Sequence, residues 1–209
     1  MNKPLFRTIV GALAEFVFLS VAALAVSLIV YLDYLLIGYR TSEGSVTELS
    51  QSALLALSAA ICGIAARRHV HARGFLALMT GFFAVMFVRE QDGFFDLIRH
   101  GSWVYPVFLL AVGTVAYALK YYDTIIPSLV AFIRSRAYYP IFFGLVVVII
   151  FSQSFGSGRL WELIMVENYD RYVKSAMQEG LELFGYVFIF YGSCLSLNVF
   201  RYQEQKGAY

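Results

Sequence analysis

The chain has 209 residues, of which 60% are hydrophobic and only 14% charged, with a formal net charge of +2. An ordinary soluble domain is about a quarter charged, so this much apolar surface has to face lipid, and the length suits one transmembrane domain over 1–209 with no room for a soluble one beside it. The small net charge excludes a bulk electrostatic case for nucleic acid, and the chain has no basic and aromatic array of the kind single-strand binders use.

A membrane-crossing helix needs about 20 mostly apolar residues. By that measure the sequence predicts an all-α bundle of six transmembrane helices, over 9–37, 46–66, 74–95, 103–122, 138–155 and 176–200, with a short interfacial helix after the fifth. Lys3 and Arg7 precede the first apolar run as they would in a signal peptide. The run continues from Ile9 to Ile37, however, longer than an h-region, and so reads as a retained span. Glu15 lies in its inner third and is expected to snorkel to the interface or pair with Arg67 or Arg68, the alternative being a proton-handling role.

Ser45 and Glu48 at the head of the second span have capping-box spacing, and a carboxylate near a helix N-terminus is favoured by the macrodipole. That explains Glu48 without a function. A basic loop, Arg67 to Arg73, leads into the third span, which turns ionic at its far end: Arg89-Glu90-Gln91-Asp92, then Asp96. The dipole there favours Arg89 but disfavours Glu90 and Asp92. Ionisable groups at membrane depth usually face the bundle interior and mark a functional path. A helix running on through Asp96 would place Arg89 with Asp92, and Asp92 with Asp96, on one face. The bland alternative is a set of loop charges beyond the bilayer.

After the fourth span, Thr124 to Ile133 is apolar but too short to cross, which suits an interfacial or re-entrant piece. Ser152 to Arg159 reads as a polar exit turn; exposing backbone N–H groups to an anion is the alternative. Arg159 to Lys174 mixes Trp161, Leu163, Ile164, Met165 and Val166 with charges, as an amphipathic surface helix does. Glu179 and Glu182 then open the sixth span, where the dipole again offers a structural account. They share a face, followed by the small Gly185, and repel unless Arg171, Lys174, Arg89 or a cation lies between them.

The distribution of Lys and Arg orients the chain. With the N-terminus inside, Lys3, Arg7, Arg67, Arg68, Arg73, Lys120, Arg134, Arg136, Arg201 and Lys206 collect on one side, and Arg40, Arg89, Arg99, Arg159, Arg171 and Lys174 on the other. Both termini are then cytoplasmic. The acids segregate harder: only Glu15, Asp123 and Glu204 fall inside, while Asp33, Glu43, Glu48, Glu90, Asp92, Asp96, Glu162, Glu167, Asp170, Glu179 and Glu182 fall at or beyond the outer leaflet.

Rows of small residues mark where helices approach closely in lipid: Ser52, Ala56 and Ala60, then Ala59 and Gly63, on the second span, and Gly192 and Ser196 on the sixth. The expectation is that these two spans pack on each other or on the third and bring Glu48, Arg89, Glu90, Asp92, Glu179 and Glu182 into one ligand- or partner-binding cluster. Cys62 and Cys194 sit in apolar segments as packing residues, with no disulfide expected. His69 and His71 lie inside and His100 outside, so no multi-histidine metal site forms. There is no HExxH and no GxSxG, and no catalytic residue is nominated. The cofactor is unknown; a carboxylate-only site would prefer a hard divalent cation such as calcium, magnesium or manganese.

Three functional classes fit these residues. First is a non-enzymatic membrane subunit or scaffold that docks a protein partner, or a second copy, through the outer cluster. Second is a small transporter or channel for a cation or protons, although no proline breaks a span centre as transporter sites often require. Third is a membrane-embedded enzyme acting on a lipid or lipid-linked substrate at the outer leaflet, with Arg89 on a phosphate and a carboxylate as base or metal ligand. The compact loops and the absence of an Asn-X-Ser/Thr sequon suit a bacterial inner membrane.

Overall fold

The computed structural model describes residues 3–37, 44–166 and 169–206, with side chains from Leu5 to Phe200 within them. Arg40, Glu43 and Glu167 lie outside the described residues, as do the side chains of Lys3, Arg201, Glu204 and Lys206. All the regular elements among the described residues are helical: α1 (Lys3–Ile37), α2 (Val46–Arg68), α3 (Arg73–Glu90), α4 (Asp92–Asp96), α5 (Val104–Leu119), α6 (Ile125–Ile133), α7 (Tyr138–Val146), α8 (Ser152–Phe155), α9 (Gly158–Met165) and α10 (Arg171–Lys206). Five helical stretches are long and apolar enough to cross a membrane, and the number rises to six if a bent pair counts as one span. That pair is α5 with the segment Tyr122–Ile133, which turns through 88°. The apolar piece after the fourth span is therefore α6, lying across the end of α5. Thr124 Oγ1 accepts from the Gly74 N–H at 2.9 Å, and Ser128 Oγ donates to the His71 carbonyl at 3.3 Å.

Hydropathy sets the spans, and small or polar side chains decide which faces meet. In α1 only 6% of the most apolar window is buried within the protein, against 44% in α2 and in α10. The first helix therefore offers nearly all its surface to lipid, and α2, α3, α7 and α10 form the core. The buried stripe of α2 runs through Gln51, Leu55, Ser58, Cys62 and Ala65, the three-and-four spacing of one helix face. Serines on the inner faces satisfy themselves on the preceding turn: Ser58 donates to the Leu54 carbonyl and Ser193 to that of Ile189, each at 2.8 Å. Such back-bonding lets a hydroxyl be buried without a partner from another helix.

The small-residue rows act differently from expectation. Ala56 and Ala60 are exposed, so of the row Ser52, Ala56 and Ala60 only Ser52 lies at the α2 interface, beside Gln91. Gly63 does face α3, with Thr80 Cγ2 at 3.4 Å from where a Cβ would stand. On α10 the close neighbour is α7 and not α2 alone. A Cβ on Gly192 would meet Ile141 Cγ1 at 2.5 Å, and one on Gly185 would meet the Gly144 carbonyl at 2.8 Å. Backbones in direct contact at Gly144 and Gly185 are what two glycines permit in lipid, where close packing replaces the hydrophobic drive between helices.

The start of α2 is held by a residue that spacing alone did not single out. Asp33, near the end of α1, accepts from the Val46 N–H at 2.8 Å and the Thr47 N–H at 2.7 Å, and also from the Thr47 hydroxyl. Ser45 Oγ accepts from the Glu48 N–H at 3.1 Å and Glu48 Oε2 from the Gly44 N–H at 2.7 Å, a capping box displaced by one residue. Because Asp33 both caps α2 and ties it to the otherwise loosely held α1, Asp33→Ala is expected to cost about 1–2 kcal/mol. The check is the midpoint of denaturant unfolding in mild detergent, where an unchanged midpoint would remove the tie from the account.

Candidate functional site

The first turns of α2, the last turn of α3, the start of α4 and the second and third turns of α10 enclose one polar cavity of about 270 Å³. Glu48, Arg89, Glu90, Asp92, Glu179 and Glu182 all line it, together with Gln51, Ser175 and Gln178. The six residues nominated from sequence thus share one cavity, which by itself says nothing of what they do.

Their local settings differ from expectation at two points. α10 begins at Arg171, capped by Asp170 Oδ1 accepting from the Tyr172 N–H at 2.8 Å. The amphipathic surface helix is accordingly shorter than 159–174: α9 stops at Met165, with Val166 at φ 50°. Glu179 and Glu182 consequently stand about two and three turns inside α10. The macrodipole acts within the first turn, so capping does not account for these acids. The second difference is at the end of α3. The helix stops at Glu90, since Gln91 leaves helical geometry (φ −94°, ψ 18°) and its Nε2 donates to Ser52 Oγ at 2.5 Å. Asp92 opens α4, where an acid is favoured, and the shared face running from Arg89 through Asp96 does not form. Asp96 turns away to accept from the Gly101 N–H at 2.9 Å and to meet His100 Nδ1 at 2.8 Å. The Gly101 bond first, and His100 after it, hold its carboxyl below the usual aspartate range.

Glu182 is the deepest acid, only 6% exposed. Its Oε1 lies 3.2 Å from Gln178 Nε2, 3.4 Å from Gln153 Nε2 and 3.1 Å from Ser152 Oγ. The Ser152 hydroxyl is also 2.5 Å from the Val148 carbonyl, so one proton serves two acceptors. Ser152 and Gln153 arrive here after a stretch of π-helix, Val147–Phe151. Widening the helix by one residue re-aims the side chains of the next turn, and such segments recur at functional sites. The stretch read as a polar exit turn therefore supplies two partners to Glu182 without itself lining the cavity. Trp161 Nε1 donates to the Phe155 carbonyl at 2.6 Å and folds α9 back against it.

Glu90, with its side chain only 9% exposed, accepts from Arg89 Nη2 and from the Tyr186 hydroxyl, both at 2.7 Å on Oε1. That burial excludes a solvated loop charge. Gln51 Nε2 donates to the Glu179 carbonyl at 3.0 Å and locks α2 to α10 at this level. Neither Arg171 nor Lys174 lines the cavity; the cation among the acids is Arg89, already engaged by Glu90. Five carboxylates thus face one guanidinium. Among the described residues no group of three His, Cys, Asp or Glu side chains stands close enough to hold a metal ion. The acids line a space large enough for an organic cation and do not converge on one point.

Glu15 belongs elsewhere. Its carboxylate pairs with Arg136 and accepts from the Tyr191 hydroxyl at 2.5 Å, so its partner is neither Arg67 nor Arg68. Tyr191 is about 13 Å further along α10 than Glu182. Leu183 and Ile189 of α10, with Leu55 and Phe83 opposite, are at most 1% exposed in the core between.

Sequence reasoning left out Ser175, Gln178, Tyr186, Ser152 and Gln153. For α10 the signal was present: Ser175, Gln178, Glu179, Glu182 and Tyr186 recur at helical spacing as a polar stripe within an apolar helix. These features define a helical, polytopic membrane protein with an acidic pocket walled by three of its spans. No family model, no curated protein and no solved structure matches this chain.

Proposed function

We propose that this protein is a membrane subunit or scaffold that docks a partner by receiving a cationic group, a Lys or Arg side chain, in the acidic pocket. Support comes above all from the convergence of Glu48, Glu90, Asp92, Glu179 and Glu182 on one small cavity whose single cation is already paired. Like charges held this close in a partly buried site favour any positive group that enters. In this reading the bent α5–α6 pair completes six crossings, both termini are cytoplasmic by the Lys and Arg distribution, and the pocket opens extracytoplasmically, in a bacterial inner membrane. Transport of a cation is the second reading, favoured by the amide and hydroxyl groups around Glu182; the close-packed core below the pocket weighs against it. An anionic substrate held by Arg89, as the enzymatic reading needs, meets the surrounding carboxylates.

The test places a photo-crosslinking amino acid at Ser175, on the pocket wall, in native membranes. Docking predicts one discrete adduct with a polypeptide, its crosslinked peptide carrying Lys or Arg next to the modified residue, reduced about tenfold by Glu179→Gln with Glu182→Gln. An adduct that ignores these substitutions, or no adduct at all, contradicts docking. Cation flux in liposomes that disappears with the same substitutions would transfer the pocket to transport.

A further inference from the structure

A second cavity, of about 690 Å³, lies where α2, α3 and α5 meet, apart from the acidic pocket and sharing no residue with it. Its volume is that of an ordinary ligand pocket, and its walls are apolar. Gly63 and Gly81 form its floor, and Leu109, Leu110 and Gly113 one side. Along α5 its lining runs from Pro106 to Tyr117, about 16 Å at the rise of an α-helix. That is about half the hydrocarbon thickness of a bilayer, the depth of a single leaflet.

One end of the groove is cationic. Arg67 is the charged residue in its lining, next to Tyr117; its side chain is exposed, and no hydrogen bond or ion pair to a described residue occupies it. Arg73 stands at the same end, its guanidinium 5.2 Å from the centroid of the Tyr121 ring and its Nε donating to the Ala66 carbonyl at 3.1 Å. Tyr121 in turn packs on Tyr117 at 5.4 Å between centroids. Lys120 follows on the same helix end, and Asp123, exposed in the turn before α6, is the acid in this corner. Among the described residues three cations stand against one acid here, and at the mouth of an apolar trough one leaflet deep they complement a lipid and not a soluble anion. Basic sites between membrane helices hold anionic headgroups in this way.

We propose that this groove binds one phospholipid, an acyl chain lying over α3 between α2 and α5 and its net-negative headgroup held by Arg67, in the leaflet on the side of the loop between α2 and α3. The inference is independent of the acidic pocket.

The test is native mass spectrometry of the full chain, stripped of lipid in detergent and titrated with phosphatidylglycerol or with phosphatidylcholine of the same chains. The expected result is a single bound phosphatidylglycerol, retained several-fold more than phosphatidylcholine. Arg67→Gln should bring the two lipids level, a loss of about fivefold to tenfold for one Arg at an anionic headgroup. Gly113→Leu should remove both lipids. A Cβ at Gly113 meets nothing within 4 Å, so a side chain enters the groove there without a clash at its root. Ala84→Leu, toward the far end, repeats the block should Gly113→Leu lose helicity by circular dichroism. Equal retention of the two lipids by the parent, no response to Arg67→Gln, or retention in both leucine variants would overturn the proposal. Competition by glycerol 3-phosphate, which has no chains, would also overturn it and assign the cations to a soluble anion.

Discussion

Glu182→Ala is expected to destabilise the protein by about 2 kcal/mol and to weaken capture of a cation, whereas Glu182→Gln should weaken capture alone. Glu182 Oε1 is the acceptor for Gln178 and Gln153 and one of two for Ser152. Alanine takes the acceptor from the half-buried Gln178 amide and opens a void beside the buried Ser152; a donor left unmet costs about 1–3 kcal/mol where it is buried, with the lost packing added. Glutamine keeps an acceptor oxygen at nearly the same place and removes the charge that stands near Glu90 and Glu179. Its unfolding midpoint should match or exceed that of the parent, because repulsion within the pocket is relieved. The pair of variants separates charge from shape. If glutamine destabilises as much as alanine, the negative charge of Glu182 is structural and the pocket is not poised for an incoming cation.

Gly185→Leu is expected to be among the most damaging single changes in the bundle. A Cβ at this position would stand 2.5 Å from Val148 Cγ2 and 2.8 Å from the Gly144 carbonyl, while one at Gly144 would stand 2.5 Å from the Gly185 carbonyl. Backbone cannot rotate aside as a side-chain tip can, so α7 has to move off α10. Overpacking costs about 1–3 kcal/mol and more where backbone must shift. The π-helical stretch and α8 continue from α7 and carry Ser152 and Gln153, so the same displacement withdraws two of the groups around Glu182. Denaturant unfolding should show the loss of stability. Gly185→Ala should show a smaller loss of the same sign, and cysteine cross-linking between Ser152 and Gln178 should fall in proportion. A parent-like midpoint for Gly185→Leu would contradict the backbone contact.

The spans were legible because hydropathy and caps act locally. α2 begins at Val46 behind Ser45, and α8 ends at Phe155, each within a residue or two of the apolar boundary. The acids were legible because Glu90 sits at a helix C-terminus, where the dipole opposes it. Other features depended on geometry that sequence does not carry. α10 extends upstream of its apolar run because Arg171 to Lys174 are helical although charged at both ends, and only that extension strips Glu179 and Glu182 of a capping role. The pairing of Glu15 with Arg136 joins residues 121 positions apart; spacing within one helix gives no sign of it. Gly144 is the sole glycine of α7, so no small-residue row announced α7 as the close neighbour of α10. The break at Gln91 rests on its bond to Ser52, which forms only once α2 and α3 are side by side.

The most direct measurement of the pocket's preference for cations is chemical. With Cys62 and Cys194 replaced by alanine, a cysteine is placed at Ser175 and its rate of modification is compared for two methanethiosulfonate reagents of similar size, one carrying an ammonium and one a sulfonate. Two unit charges about 8 Å apart interact by about 2 kcal/mol at an effective dielectric near 20, so carboxylates around the cysteine should favour the ammonium reagent by at least about tenfold over the ratio for a free thiol. High salt should narrow the preference, and combining Glu48→Gln, Glu179→Gln and Glu182→Gln should erase it. A ratio equal to that of the free thiol, or one that survives the triple substitution, would mean that the five carboxylates do not act as a cation-receiving site.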